Sequence, residues 1–224
     1  MVSSRAENGI SDPSRLVPLL SCAREHGASD ALIIPAGEVL VDPRVRFKCM
    51  IPKCFSTGTC SHCPPHGLSF RETRELVSRF RWAVFFRVLG KSAYVTEKSF
   101  YTNYLTGTVD EKGNMLNVGG YCLLVYTIAK LLERKGRELG CRQAQGFASG
   151  NCRDLFCRFQ PDCRKLSGGG ECRHPGISIP SMESSGIDAL TMASRAGWEV
   201  YAVGGSLAPG DVPHGTFLGL ALFA

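Results

Sequence analysis

The sequence predicts an α/β domain in which helices flank a mixed sheet and two cysteine-rich loops bind metal. Residues Trp82 to Leu89 are almost continuously apolar, which is typical of a central strand. Residues Tyr121 to Glu138 place leucine and isoleucine side chains on one side, as in an amphipathic helix. Eight of the eleven cysteines fall into two quartets that begin with the same spacing.

The chain begins with a polar segment and then becomes periodic. Residues 1–14 predict a flexible tail, so a single α/β metal-binding domain carrying both quartets is expected over residues 15–224. Residues Arg15 to His26 predict a short amphipathic helix. Residues Ala31 to Val41 alternate in polarity, which predicts one strand, or two strands with a turn at Ala36-Gly37.

The middle of the chain carries clear helix signals and one ambiguous stretch. Ser69 and Glu72 match the capping-box pattern, which predicts a helix from Phe70 to about Phe80. Within the ambiguous stretch, a helix is compatible with residues Glu97 to Leu105. Residues Asp110 to Asn114 predict a turn.

The C-terminal elements follow the long helix. Gly140 is a plausible end for that helix, and Ala144 to Ala148 predicts a short strand that enters the second quartet. Asp188 is a plausible N-cap for a helix that ends near Arg195. Closing strands are predicted at Trp198 to Val203 and at Phe217 to Phe223.

Composition and charge narrow the class of protein. Hydrophobic residues make up 44% of the 224 residues and charged residues 21%, as in ordinary globular proteins. No stretch reaches the roughly 20 apolar residues that a membrane-spanning helix needs, and the N-terminus lacks a secretory hydrophobic segment. We therefore expect a cytoplasmic protein with no membrane span; the sequence leaves the oligomeric state open.

The two quartets are the strongest chemical signal. Each begins C-x4-C-x5-C; the first closes after two further residues and the second after eight. Four thiolates match the ligand count of one iron–sulfur cluster or one structural zinc ion. The expected metal and cofactor ligands are Cys49, Cys54, Cys60 and Cys63 in the first quartet, and Cys152, Cys157, Cys163 and Cys172 in the second.

The spacing favours iron–sulfur clusters over zinc. Structural zinc usually sits on two C-x2-C turns, and only Cys60 and Cys63 form one here. Longer, uneven gaps suit a loop wrapped around a larger group, and a proline after a ligand cysteine, as at Pro64, is typical of bacterial ferredoxins. We expect two [4Fe–4S] clusters, with zinc as the alternative. The odd number of cysteines and the missing export signal disfavour disulfides.

Basic residues surround the cysteines, and the formal net charge is +6. Clusters held by four thiolates are anionic, so these cations are expected to compensate buried charge, tune the reduction potential and dock an acidic redox partner. Solubility and nucleic-acid binding are the competing interpretations, and the second is the weaker. The residues concerned are Arg44, Arg46, Lys48, Lys53, Arg153, Arg158, Arg164, Lys165 and Arg173.

Two residues beside the quartets are candidates for acid–base chemistry. His174 follows Cys172, where a histidine could ligate, donate a hydrogen bond to sulfur or carry a proton. Glu183 and Asp188 could relay protons, although helix capping is the simpler interpretation for Asp188.

Three motifs together resemble a known family. They are Cys60-x2-Cys63-Pro64-Pro65, Cys172-Arg173-His174-Pro175 and Ser181-Met182-Glu183-x-x-Gly186-Ile187-Asp188. This combination is similar to the predicted cysteine-rich metal-binding proteins called domain of unknown function 2284, from about Val41 to the C-terminus. The resemblance implies metal binding, of the iron–sulfur kind, in anaerobic bacteria or archaea, and it implies no established reaction.

Three functions are compatible with these patterns. The leading hypothesis is an iron–sulfur protein that transfers single electrons in anaerobic metabolism. The second is an iron–sulfur enzyme with an open iron at the second cluster and His174 or Glu183 as acid or base. The third is a zinc-stabilised binding module.

Overall fold

The structure is a computed structural model that describes residues 10–96, 117–201, 203–204 and 206–224. The helix proposed for Glu97 to Leu105 and the turn at Asp110 to Asn114 lie outside the described residues. Ile10 is buried, and its carbonyl accepts a hydrogen bond from Trp82 Nε1 at 3.0 Å. Ordered contacts therefore begin inside the segment expected as a tail.

A four-stranded antiparallel sheet forms the centre of the fold. Its strands are β1 (Asp30–Pro35), β2 (Trp82–Lys91), β3 (Ala144–Phe147) and β4 (His214–Phe223), in the order β1-β2-β4-β3. The expected central position of β2 is confirmed, because β2 pairs with β1 on one side and β4 on the other. The prediction of a mixed sheet was wrong, since every pair of neighbouring strands is antiparallel.

The apolar run in β2 lies in an antiparallel sheet, although such runs are most typical of parallel sheets. Val84 and Phe86 belong to one hydrophobic core, whereas Ala83 and Phe85 belong to the core on the opposite face. Continuous apolar strands are most common in parallel sheets, which helices cover on both faces. Here an antiparallel sheet is covered on both faces, so the same pattern arises without parallel pairing.

Helices cover the two faces of the sheet. The helices are α1 (Val17–Glu25), α2 (Pro43–Phe47), α3 (Phe70–Ser78), α4 (Ala93–Thr96), α5 (Val118–Glu138), α6 (Cys152–Phe156), α7 (Arg164–Ser167) and α8 (Ala189–Arg195), with 3-10 helices at Pro13–Leu16, Ala36–Glu38 and Glu183–Ser185. Residues of α1 and α5 pack into one core, and residues of α3 and α8 pack into the other.

Local sequence patterns predicted several helix ends correctly. The Ser69 N–H donates to Glu72 Oε2 at 2.7 Å and the Glu72 N–H donates to Ser69 Oγ at 3.2 Å, which confirms the capping box. Gly140 follows the last residues of α5 with φ of 95°. Asp188 caps α8 by accepting from the Thr191 N–H at 3.1 Å.

Of two further strand predictions, one is confirmed and one is wrong. The first strand ends at Pro35 and a 3-10 helix follows at Ala36–Glu38, so the single-strand alternative holds and the two-strand alternative does not. The strand at Trp198 to Val203 was wrong, because its described residues form no strand. Trp198 instead stacks on Phe85, with ring centroids 4.9 Å apart, and its Nε1–H donates to Asp30 Oδ2 at 3.0 Å. The apolar pattern there reflects one side chain filling the core.

Candidate metal centres

The first quartet lies on the loop between α2 and α3, which folds back on itself through backbone hydrogen bonds. The Cys54 N–H donates to the Cys49 carbonyl at 3.0 Å, and the Cys63 N–H donates to the Cys60 carbonyl at 3.2 Å. Cys60 and Cys63 are buried, whereas Cys49 and Cys54 are partly exposed. The loop therefore directs two thiols inward and leaves two near the surface.

Arg46 and a glycine close this loop. The Arg46 guanidinium donates to the carbonyls of Leu68 and Gly67, both at 3.2 Å. A Cβ at Gly67 would lie 2.4 Å from the His62 carbonyl oxygen, so a residue with a side chain would force the backbone apart. The end of the loop is thereby held against its beginning.

The second quartet follows β3 directly and is fastened to the first loop by buried polar groups. The Asn151 side chain caps α6 by accepting from the Asp154 N–H at 2.9 Å. Its amide also donates to Ser56 Oγ at 2.8 Å, and the Ser56 hydroxyl donates to Asp154 Oδ2 at 3.1 Å. Ser56 is buried in the first loop, so these bonds join the two loops. No sequence signal pointed to this connection.

Two arginines hold the second loop from inside. Arg153 donates to the carbonyls of Cys157 and Gln160 at 2.7 Å and of Asp162 at 2.9 Å. Arg173 donates to the same Asp162 carbonyl at 2.8 Å and to its carboxylate at 3.0 Å. These contacts give both arginines a structural role that the sequence did not predict.

Cys60 connects the two quartets. Its sulfur accepts hydrogen bonds from the thiols of Cys152 and Cys63, which lower the pKa of Cys60. The same hydrogen bonds, together with burial, raise the pKa of Cys63 and of Cys152. The three thiols can therefore carry one negative charge easily, and further thiolates need a cation beside them.

The cysteines line two cavities. The walls of the second cavity include Cys60, Cys152, Cys157, Cys163, Cys172 and His174. The walls of the first cavity include Cys49, Cys54, Cys63, Ser181 and Glu183. The structure thus groups seven of the eight expected ligands by quartet, whereas Cys60 lies in the wall of the second cavity.

The two cavities are lined by different ionisable residues. The described residues lining the second cavity include Arg153, Arg164, Lys165 and Arg173 and no carboxylate. The described residues lining the first cavity include Glu183 and no lysine or arginine. A cluster in the second cavity would meet positive charge, and a cluster in the first cavity would meet a carboxyl group.

Residues 178–188 reach both cavities because backbone contacts fix them at either end. The Met182 N–H donates to the Ala148 carbonyl at 2.9 Å, which places the segment beside the end of β3. The Asp42 N–H donates to the Gly186 carbonyl at 2.8 Å, which places it beside the start of α2. Gly186 has φ of 80°, a conformation that favours glycine.

The two acid–base candidates lie at different cavities. His174 lines the second cavity, where its backbone N–H donates to Cys172 Sγ at 3.3 Å and its ring packs 5.8 Å from the Phe156 ring. Glu183 lines the first cavity. Burial raises the pKa of the Glu183 carboxyl, and the Ser181 hydroxyl and a backbone N–H offset only part of that effect.

A separate groove of about 1020 Å³ adjoins the second cavity. It shares Ser61 and Ser178 with that cavity and is also lined by His62 and His66. Burial lowers the pKa of His62. Glu133, which is 2% exposed, lies in its wall and accepts from the Gly146 N–H at 2.6 Å.

The remaining cysteines lie outside both cavities. Cys122 and Cys141 are buried in the hydrophobic core, and Cys22 is partly buried against it. The Ser149 hydroxyl contacts Cys122 Sγ at 3.9 Å. All eleven cysteines fall within the described residues and are free thiols.

The cavities offer thiols as donors, and thiolates bind both iron and zinc. Among the described residues, no three His, Cys, Asp or Glu side chains converge so that they could hold a single metal ion. The Cys172 sulfur accepts a backbone N–H, a contact that helps to orient and tune a ligand.

Comparison with known proteins identifies one family. The family described as "predicted metal-binding protein (DUF2284)" matches residues 32–218. No curated protein and no solved structure matches the chain. Over the residues that the structure describes, no helix is both long and apolar enough to cross a membrane.

Proposed function

The chain belongs to the DUF2284 family of predicted metal-binding proteins, and we propose that it holds two iron–sulfur clusters, of the [4Fe–4S] type, and transfers single electrons through them. The observation that carries this proposal is the contact of Cys60 with both Cys63 and Cys152. Cys60 and Cys63, which a backbone hydrogen bond of 3.2 Å joins, also line different cavities, so the two cavities are neighbours. Electron tunnelling is fast only over short distances, so adjoining redox centres can exchange electrons.

The chemistry of the walls supports iron–sulfur clusters. Several buried thiols can all ionise only beside a cation, and cluster irons would provide that charge. The Cys172 sulfur accepts a backbone N–H, a contact that tunes cluster potentials. A structural zinc ion would also satisfy the thiolates, and it would draw four sulfurs to one point.

A surface beside Cys49 and Cys54 suits a partner protein. Large apolar side chains there are exposed, with Ile51 71% and Phe55 61% accessible. Lys48 and Lys53 lie within the same stretch of sequence. Exposed apolar residues with two lysines in the same segment fit a partner with an acidic rim, so we propose an acidic one-electron carrier that docks over the first cavity.

Metal analysis of anaerobically purified protein tests the proposal. We expect about eight irons per chain with matching sulfide, and an EPR spectrum of two interacting S = 1/2 centres after reduction with dithionite. About two zinc ions per chain and no visible absorption would contradict it and favour the zinc-stabilised module.

An iron–sulfur enzyme is the second candidate, because the groove lined by His62 and His66 adjoins the second cavity. An enzyme needs an iron with an exchangeable ligand beside such a groove. Cyanide, a small ligand for open iron sites, would then change the EPR spectrum of the reduced protein. An unchanged spectrum at saturating cyanide would exclude an open iron and leave electron transfer.

A further inference from the structure

The first cavity has one thiol fewer than a four-thiolate cluster needs. Cys49, Cys54 and Cys63 line it, and the fourth cysteine of that quartet, Cys60, lies in the wall of the second cavity. Among the described residues that line the first cavity, Glu183 is the one carboxylate. An oxygen donor therefore stands beside the three sulfurs.

Glu183 has no positive partner of its own. Within the described part of the chain, its polar contacts are the Ser181 hydroxyl and a backbone N–H, and no lysine, arginine or histidine forms an ion pair with it. Glu183 is partly buried, and a carboxyl group removed from water either stays protonated or pairs with a cation. A cluster iron in the first cavity would be such a cation, and it would allow the carboxylate form.

The backbone holds Glu183 in place. It begins the 3-10 helix Glu183–Ser185, and within this turn the Ser184 N–H donates to Ser181 Oγ at 3.1 Å. The contact between Met182 and Ala148 fixes one side of this helix, and Gly186 fixes the other. A side chain on a fixed turn meets the geometric demand on a metal ligand.

We propose that Glu183 is the fourth protein ligand of the first cluster, together with Cys49, Cys54 and Cys63. This assignment rests on the proposed iron–sulfur function and changes the role of Glu183 from acid or base to ligand. Cys60 then lies between the clusters, in contact with a ligand of each, Cys63 and Cys152.

Variants at Glu183 test this proposal by Mössbauer and EPR spectroscopy of the anaerobic protein. In the wild type, one iron of the first cluster should show the larger isomer shift of an oxygen-ligated site. Glu183→Cys should keep the full iron content and remove that difference, because all four ligands would then be thiolates. Glu183→Gln should change or abolish the first-cluster signal and leave that of the second cluster intact.

The matched control is Glu171→Gln, which changes an exposed carboxylate beside Cys172 and should leave both signals unchanged. Wild-type spectra in the Glu183→Gln and Glu183→Cys variants would overturn the assignment. If Glu183→Gln fails to fold, the Glu183→Cys spectrum alone decides. Zinc in place of iron in the wild type would refute the proposed function instead, so the two failures are distinct.

Discussion

The two cavities adjoin one another, yet their surroundings differ in charge. Arginine and lysine side chains line the second cavity, whereas a carboxyl group and serine hydroxyls line the first. A cluster becomes more negative when it is reduced, so nearby cations stabilise its reduced form and nearby carboxylates destabilise it. We therefore expect the second cluster to have the higher reduction potential. Electrons should then pass from the first cluster to the second.

The loops also differ in how they are held. Arg46 closes the first loop from its N-terminal side, whereas Arg153 and Arg173 bind carbonyls inside the second loop. Large apolar side chains are exposed on both loops, such as Ile51 on the first and Phe159 on the second. The loops therefore differ in their internal hydrogen bonds and in the charged residues that line their cavities.

The largest expected effect separates the two centres completely. Cys63→Ala should remove the first centre and Cys172→Ala the second, so each variant should retain about half of the iron. Cys141→Ala, which alters a core thiol outside both cavities, should keep all of it. Iron and sulfide analysis, together with EPR spectroscopy, measures which centre each variant retains. Loss of both centres from either variant while it stays folded would break the comparison.

A smaller effect concerns the support of the second loop. Arg153→Ala removes three hydrogen bonds to carbonyls, which should destabilise the loop by roughly 2–3 kcal/mol. The second cluster should then lose iron to a chelator faster than the first. Lys165→Ala, which changes a cation of the same cavity wall, should leave that rate near the wild-type value. If Arg153→Ala accelerated iron loss equally from both clusters, the claim that Arg153 stabilises only the second loop would be wrong.

A third variant tests whether the cations of the second cavity raise the reduction potential of its cluster. Replacing Arg164 and Lys165 by glutamine removes two exposed cations from the second cavity. Each screened charge should contribute about 1 kcal/mol, so the potential of the second cluster should fall by about 40 mV per charge. The first potential should change less. A redox titration measures both, and an unchanged gap would refute the electrostatic explanation.

The smallest effect lies at the docking surface. Ile51→Asp should slow electron transfer from an acidic carrier protein to the first cluster several-fold, because it buries a like charge in the encounter, and it should leave both cluster spectra unchanged. Leu190→Asp, an exposed apolar residue on α8, is the control and should have no effect. Stopped-flow absorbance measures the rate. Equal slowing by both variants would argue against a specific surface.

Local chemistry made much of the fold predictable. The capping box at Ser69, the N-cap at Asp188 and the apolar run of β2 each act through neighbouring residues or one dominant period, so sequence patterns report them. The sequence did not predict the antiparallel direction of the strands, because burial on both faces produces the same apolar run in parallel and antiparallel sheets. The strand prediction at Trp198 was wrong for a similar reason, because the Trp198 side chain packs in the core while its backbone forms no strand.

Cysteine spacing predicted two quartets of ligands, which stays a prediction, and it did not predict which side chains lie together. Cys60 lines the second cavity with Cys152, which is far from it in the chain. The bonds among Ser56, Asn151 and Asp154 are equally distant, and these polar residues are common in loops. Only the folded backbone, which brings residues 178–188 between the two loops, determines which side chains meet.

An EPR-monitored redox titration of the anaerobically purified protein tests the central claim most directly. Two adjoining iron–sulfur clusters in differently charged cavities should give two separate potentials. The signal of the second cluster should appear first and then broaden when the first cluster is reduced. Two signals that titrate without influencing each other, or a colourless zinc protein with no signal, would contradict the account.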